Sequence, residues 1–244
     1  MIWRAAFLWL TSVAVAQAAD CQNVAFDGDN FSVCTVDMTR ENLRLFLYDD
    51  AGDPFSQFSR IDAHLNQSGD KLGFAMNAGM YHEDRAPVGH YVEDGVEKMR
   101  VIPNAGPGNF GLLPNGILCL REGRADVFET LRFQREAPAC QHATQSGPML
   151  VIDGALHPRF LADGTSRYIR NGVGTSADGK TAMFVISNGA INFYKFASFF
   201  RDHLKLPQAL FLDGNVSRLH APDLKRSDFG RRLGPIIGTV VPDK

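Results

Sequence analysis

Short apolar stretches alternate with turn dipeptides along most of this chain. Asp-Gly pairs begin at Asp27, Asp94, Asp153, Asp163, Asp178 and Asp213, and Asn-Gly pairs at Asn115, Asn171 and Asn188. Glycine accepts the positive φ of a tight hairpin, so each pair marks a turn between strands. The spacing predicts strands at Phe31–Val36, Asn42–Tyr48, Leu72–Met76, Gly89–Val92, Phe110–Leu113, Ile117–Arg121, Ala125–Glu129, Pro148–Ile152, Thr181–Ile186, Ala209–Leu212 and Pro235–Val241. Several are rich in Val, Ile and Phe, as buried strands are. Helical spacing appears twice. Phe55, Phe58, Ile61 and Leu65 form one stripe over Phe55–Leu65, and Phe196, Phe199, Phe200 and Leu204 form another over Tyr194–Leu204. Both read as core faces, and His203 beside the second reads as structural. The pattern predicts an α+β fold: a single strand-rich domain with a mixed sheet core and a few packed helices, over residues 19–244.

The first 18 residues break this pattern. Arg4 is followed by an uncharged apolar run from Ala5 to Ala16, and Ala16-Gln17-Ala18 offers small residues where a signal peptidase cuts. The run is shorter than the roughly 20 residues a spanning helix needs. The expectation is therefore a cleaved export signal at 1–18, a periplasmic or secreted product and no stable membrane insertion. Loss of Arg4 takes the formal charge from -2 to about -3. Near-neutral charge gives no electrostatic case for nucleic acid. Export also changes the reading of the four cysteines, because disulfides persist in oxidising compartments. Cys21 with Cys34 and Cys119 with Cys140 each bracket a hairpin and are the expected pairs.

Familiar motifs fail on context. Gly106, Gly108 and Gly111 match a dinucleotide fingerprint in spacing, but the following residues read as strand and turn instead of opening a helix. No cysteines or histidines have zinc-ligand spacing and no acidic run has calcium-loop spacing, so neither metal nor cofactor is expected. What remains is four segments in which an apolar stretch runs into small polar residues: 74–81, 145–150, 167–174 and 209–217. Loops leaving strand ends hold polar groups over clefts.

These segments, in this order, resemble the phosphodiester glycosidase family, which includes N-acetylglucosamine-1-phosphodiester alpha-N-acetylglucosaminidases, and within it a bacterial exported branch. Asn77-Ala78-Gly79-Met80-Tyr81 stands at the family's Asn-Gly/Ala-Gly-aromatic motif. Pro87-Val88-Gly89 and Glu93-Asp94-Gly95 match the next hairpin, and Leu212-Asp213-Gly214-Asn215-Val216-Ser217 its Leu-Asp-Gly-Gly-x-Ser element. Asn215 replaces a common glycine and His90 a usual apolar residue. The resemblance runs from about Leu45 to Ile237.

The resemblance implies hydrolysis of a sugar-1-phosphodiester at the anomeric carbon. A phosphate monoester leaves as a stable anion, so a general acid matters less than a fixed cation where charge develops. Arginine suits that role. Arg170 is the candidate phosphate contact, with Arg167 in reserve. Asp213 is the candidate carboxylate, as nucleophile or as base. Asn77 and Ser217 are candidates for sugar hydroxyls, and Ser146 with Gly147 for the phosphate. Gly79, Asn171 and Gly214 complete the substrate-binding set. Glu83, Asp84 and Asp94 remain open as a second carboxylate. The partner expected is a carbohydrate or sugar phosphate from exopolysaccharide or envelope glycan, and the oligomeric state is left open. Two alternatives stay open: a non-catalytic periplasmic carbohydrate-binding component, and a hydrolase that attacks phosphorus.

Overall fold

Three sheets enclose one shared core, and each carries a helix on its outer face. The computed structural model describes residues 19–243, so the expected export signal at 1–18 lies outside the described residues. The seven-stranded sheet runs in the spatial order Asp20–Phe26, Asp29–Asp37, Thr181–Ser187, Asn171–Thr175, Gln208–Asp213, Met149–Ile152, Ala155–Leu156. A second sheet runs Arg226–Ser227, Leu219–Ala221, Asp70–Asn77, Ile236–Pro242, Asn42–Phe46. The third runs Val96–Met99, Tyr91–Glu93, His142–Ser146, Gly116–Arg121, Arg124–Glu129.

Period-two side-chain direction divides each buried strand between two layers. In Gln208–Asp213, Leu210 and Leu212 enter the shared core, while Ala209 and Phe211 pack beneath the helix that begins at Phe193. Thr181–Ser187 splits the same way, Phe184 and Ile186 inward against Val185 outward. A strand covered on both faces reads as a continuous apolar run, which is why these two were legible. Phe74 and Met76 of the second sheet and Leu118 and Leu120 of the third meet the same core. The 58–65 helix covers the second sheet through Phe58, Ile61 and Leu65, and the 130–136 helix covers the third through Phe133.

The α+β class holds, with one correction. A mixed sheet core was expected, yet every pairing between described strands is antiparallel. Thr181–Ser187 and Gln208–Asp213 do run the same way, joined by a helical crossover, but Asn171–Thr175 lies between them and pairs with both. The strand expected at Phe110–Leu113 is also corrected: it is a turn, in which the Leu112 N–H donates to the Asn109 carbonyl at 3.2 Å and the Asn115 side-chain Nδ2 to the Phe110 carbonyl at 3.1 Å. The first helix begins at Phe58 instead of Phe55, because Ser56 holds a positive φ of 60° and the Phe55 amide bonds to Leu47. The second runs Phe193–Ser198 and continues as a wider turn over Phe199–His203, with His203 stacked on Phe199. The Thr130–Glu136 helix had no visible stripe, since only Thr130 and Phe133 are buried. Glu129 caps it by accepting from the Leu131 and Arg132 amides.

Both expected disulfides form, Cys21–Cys34 and Cys119–Cys140, as suits an oxidising compartment. Among the described residues no helix is long and apolar enough to cross a membrane. Cys119–Cys140 closes a separation of 21 residues. Loop-closure entropy of that size corresponds to about 3 kcal/mol. Replacing both cysteines by alanine should lower the urea-unfolding free energy by that order; no shift in midpoint would show that the unfolded chain does not experience the constraint.

Candidate functional site

Two sheets present strand ends to one another at their polar termini. Asp70–Asn77 ends on Asn77, Asn171–Thr175 begins at Asn171, and Gln208–Asp213 ends on Asp213. Asn77 and Asn171 are fully buried and face each other as reciprocal amides. The Asn171 Nδ2 group donates to the Asn77 carbonyl at 2.9 Å and to its Oδ1 at 3.1 Å, and Asn171 Oδ1 accepts from the Asp213 amide at 2.9 Å. Asn77 Oδ1 also accepts from the Arg218 amide at 2.9 Å. Both amide oxygens and the Asn171 nitrogen thus satisfy backbone that would otherwise be buried without a partner, while Asn77 Nδ2 donates to Asn171 Oδ1 at 3.4 Å.

The chain turns sharply after Asp213. Its Oδ1 accepts from the Gly214 amide at 2.6 Å and the Asn215 amide at 2.9 Å, and the Ser217 hydroxyl closes the turn 2.8 Å from the Asp213 carbonyl. Asp213 is 8% exposed. Burial pushes its carboxyl up from the ordinary value, and the Asn215, Gly214 and Val216 amides oppose that rise.

The small opening of Asp213 faces a hollow of about 740 Å³, whose lining includes Tyr81, Arg85, Phe110, Asp213, Arg231 and Arg232. Asp213 is the one carboxylate in that lining. Carboxylate pairing among the described residues engages Arg40, Arg44, Arg60, Arg121, Arg124, Arg132, Arg201 and Arg226, and not Arg85, Arg218, Arg231 or Arg232. The hollow therefore carries a net positive field able to receive an anion. Tyr81 lines it and donates to the Arg232 carbonyl at 2.9 Å. Its phenol is pushed up by burial first and then by the Asp213 charge. Gly234 makes this placement available, since a Cβ there would lie 2.4 Å from the Tyr81 ring.

The residues picked out by sequence separate into three groups. Asp213 and Gly214 form the turn at the hollow. Asn77, Asn171, Ser146 and Ser217 are scaffold around it: the buried Ser146 hydroxyl donates to the Leu212 carbonyl at 2.9 Å, and Ser217 also lies 3.0 Å from the Ile169 carbonyl. Gly79 and Gly147 lie outside the lining, at close-packed points behind it. A Cβ on Gly79 would stand 3.0 Å from Thr144 Oγ1, and one on Gly147 would stand 2.7 Å from Asn115 and 3.0 Å from the Phe110 carbonyl.

Arg170 is placed differently from its expected part as a ligand contact. It is 0% exposed, with its guanidinium 3.6 Å from the Phe193 ring centroid. Nε and Nη2 donate to the Ile191 and Ser166 carbonyls at 2.8 and 2.9 Å. Burial lowers it to about 10. Only Nη1 lacks a partner, and it lies 3.5 Å from where a Cβ on Gly214 would be, so Arg170 underlies the turn and does not line the hollow. Arg167 is exposed and outside the lining. Glu83, Asp84 and Asp94 are outside it as well, Asp94 being near Arg44 and His142. The departing residue His90 is buried elsewhere, with Nδ1 3.0 Å from the Met99 carbonyl. The arginines that do face the hollow were missed. Their sequence signal was the pair Arg231-Arg232 between Gly230 and Gly234, in a stretch that also holds Arg218 and Arg226.

Comparison with known proteins adds four findings. Residues 70–229 match the family model described as phosphodiester glycosidase. The chain is 33% identical over 186 residues to the uncharacterized protein YigE of Escherichia coli strain K12, covering 76% of this chain and 72% of that one. Among solved structures, zebrafish N-acetylglucosamine-1-phosphodiester alpha-N-acetylglucosaminidase superposes with a TM-score of 0.62 at 12% identity, covering 94% of this chain and 85% of that one. A Synechocystis protein superposes with a TM-score of 0.60 at 14% identity over 91% of this chain, which spans 61% of that longer chain.

Proposed function

The chain belongs to the phosphodiester glycosidase family, a family of hydrolases, and from that premise we propose that it hydrolyses a sugar-1-phosphodiester at the anomeric carbon, outside the cytoplasm, on exopolysaccharide or envelope glycan. The reading is supported above all by one observation: a single buried carboxylate, Asp213, shares its hollow with arginines that have no carboxylate partner. That is the polarity a glycosyl phosphate needs.

In the proposed reaction Asp213 acts as base. It takes a proton from water as the water oxygen bonds to the anomeric carbon, and the bond from that carbon to the phosphate oxygen breaks. The electron pair leaves on the phosphate monoester, whose charge Arg231, Arg232 and Arg85 receive. Donors fixed where charge develops lower the barrier without reorganisation. With a phosphate leaving group, no second carboxylate is required as acid. Arg170 takes a positioning part beneath Gly214 instead of the direct phosphate contact.

The test is incubation of the mature protein with a panel of sugar-1-phosphodiesters in heavy-oxygen water. Free sugar carrying the label supports attack at carbon; label in the phosphate overturns it in favour of attack at phosphorus. Glycan binding without turnover across the panel would favour the non-catalytic alternative.

A pH dependence follows from the burial of Asp213. The base must be ionised, and burial raises its carboxyl above the ordinary aspartate value. Activity is lost as pH falls through that raised value, so the acid limb of kcat/KM is expected at higher pH than an exposed aspartate gives. A limb at or below the exposed-aspartate range would contradict Asp213 as base.

A further inference from the structure

Large apolar side chains stand exposed on one side of the Asp213–Ser217 turn. The rim there is formed by Ile169, Arg218, Arg226, Asp228, Phe229 and Arg231 along with residues of the turn. Phe229 is 83% exposed and Ile169 44%, and Tyr168, next to Ile169 in the chain, is 51% exposed. A lone exposed apolar residue is ordinary, but three on one rim call for a partner.

Fixed backbone holds these side chains out. The Asp228 amide donates to the Leu219 carbonyl at 3.0 Å, and its Oδ2 accepts from the Leu219 amide at 3.0 Å. The Gly230 carbonyl accepts from Gln57 Nε2 at 3.3 Å. Phe229 sits between these two anchors, so cover for its ring has to come from another surface. On the facing side, the Ile169 carbonyl accepts from the Ser217 hydroxyl at 3.0 Å, and Tyr168 exchanges backbone hydrogen bonds with Ile191 at 3.2 and 2.9 Å.

Charge on the same rim is positive. Arg226 pairs with Asp228, the one carboxylate there. Among the described residues, carboxylate pairing does not engage Arg167, Arg218 or Arg231. Arg218 is 5% exposed and its Nη1 is buried without a hydrogen bond. A buried guanidinium left unpaired is costly unless an anion reaches it. A soluble acidic polymer would match the charge and leave the apolar tips in water. An anionic bilayer matches both, with lipid phosphates at the arginines and the tips at the headgroup boundary.

We propose that this rim docks on the surface of an anionic lipid bilayer. Phe229, Ile169 and Tyr168 enter the headgroup boundary, and Arg167, Arg218 and Arg231 meet lipid phosphates. The contact is peripheral, since no helix among the described residues is long and apolar enough to span. It goes beyond the proposed function and does not depend on it. Asn215, Val216 and Arg231 line the Asp213 hollow as well as this rim, so docking brings the mouth of that hollow to the lipid surface.

Co-sedimentation of the mature protein with lipid vesicles tests this. Binding is expected to equimolar phosphatidylglycerol–phosphatidylcholine vesicles, weakening with added salt, and about tenfold or more weaker to phosphatidylcholine alone. Phe229→Ala is expected to weaken the partition about tenfold, and Arg167→Gln about fivefold. Both residues are exposed, so the substitutions spare the core. Leu131→Ala, 51% exposed on the 130–136 helix and outside the rim, is expected to leave binding unchanged. Docking is overturned by no binding, by equal binding to the two vesicle types, or by binding that Phe229→Ala leaves intact or Leu131→Ala weakens as much. Displacement by glycerol 1-phosphate at equal phosphate concentration would also overturn it, because the headgroup alone would then account for binding. Retention on alginate, an acidic polysaccharide, without vesicle binding would overturn it in favour of a soluble polymer. Sugar release plays no part in these readouts, so they stand whichever way the glycosidase test falls.

Discussion

Asp213→Asn is expected to lower turnover of a sugar-1-phosphodiester by ~10²–10⁴-fold, the range for loss of a positioned acid–base group, without lowering the stability of the fold. The activity half follows from the proposed role, since an amide cannot take the proton from water. The stability half follows from burial. Asn keeps an Oδ1 for the Gly214 and Asn215 amides, and it removes a charge that burial disfavours. Because the folded-state carboxyl is raised, the wild type has the stabilising effect of proton binding in full below the unfolded value. It loses that effect as pH rises through the folded value. The variant does not titrate there, so its advantage should grow from acidic to neutral pH. Sugar release and urea midpoints at two pH values check both halves. Wild-type rates in the variant would remove Asp213 from the chemistry, and a collapse in stability would show that its charge is compensated in the fold.

Asn171→Ala should destabilise the protein by about 2–5 kcal/mol, because it leaves buried hydrogen-bonding groups unpaired at about 1–3 kcal/mol each. The Asp213 amide loses its acceptor and the Asn77 carbonyl loses its donor. Asn171→Asp is no remedy, since it brings an oxygen to where Nδ2 stands 2.9 Å from the Asn77 carbonyl oxygen. A cycle with Asn77→Ala isolates the pair: the double variant should cost less than the sum of the single ones, as groups in one network do. Urea denaturation of the four proteins gives the coupling. A single-variant effect within about 0.5 kcal/mol, the level of an ordinary surface substitution, would mean that water or backbone adjustment replaces the amide.

The strand pattern was readable wherever both faces of a strand are covered, as at Ala209–Leu212 and Thr181–Ile186. It failed at Phe110–Leu113, where apolar residues line a turn held by Asn115, and at Thr130–Glu136, a helix too short to show a stripe. The disulfides were readable because each cysteine pair is local in sequence. The motif residues were found, but their tasks were not distinguished: Asn77, Asn171 and Ser146 are polar and lie near the site, yet their hydrogen bonds are spent on backbone. Arg170 looked like an anion ligand because it adjoins Asn171-Gly172. Its alternate-face neighbours Phe193 and Phe211 come from other segments, and they bury it.

By itself, then, the amino-acid order determined the α+β class, most strands, both cross-links and the family resemblance, because hydrophobic period, turn chemistry and motif spacing are local properties of a chain. Only the tertiary structure decided which arginines face Asp213. Arg85 and Arg231 are far apart in sequence, and whether a guanidinium is aimed into a hollow or packed beneath a turn depends on which distant side chains close over it.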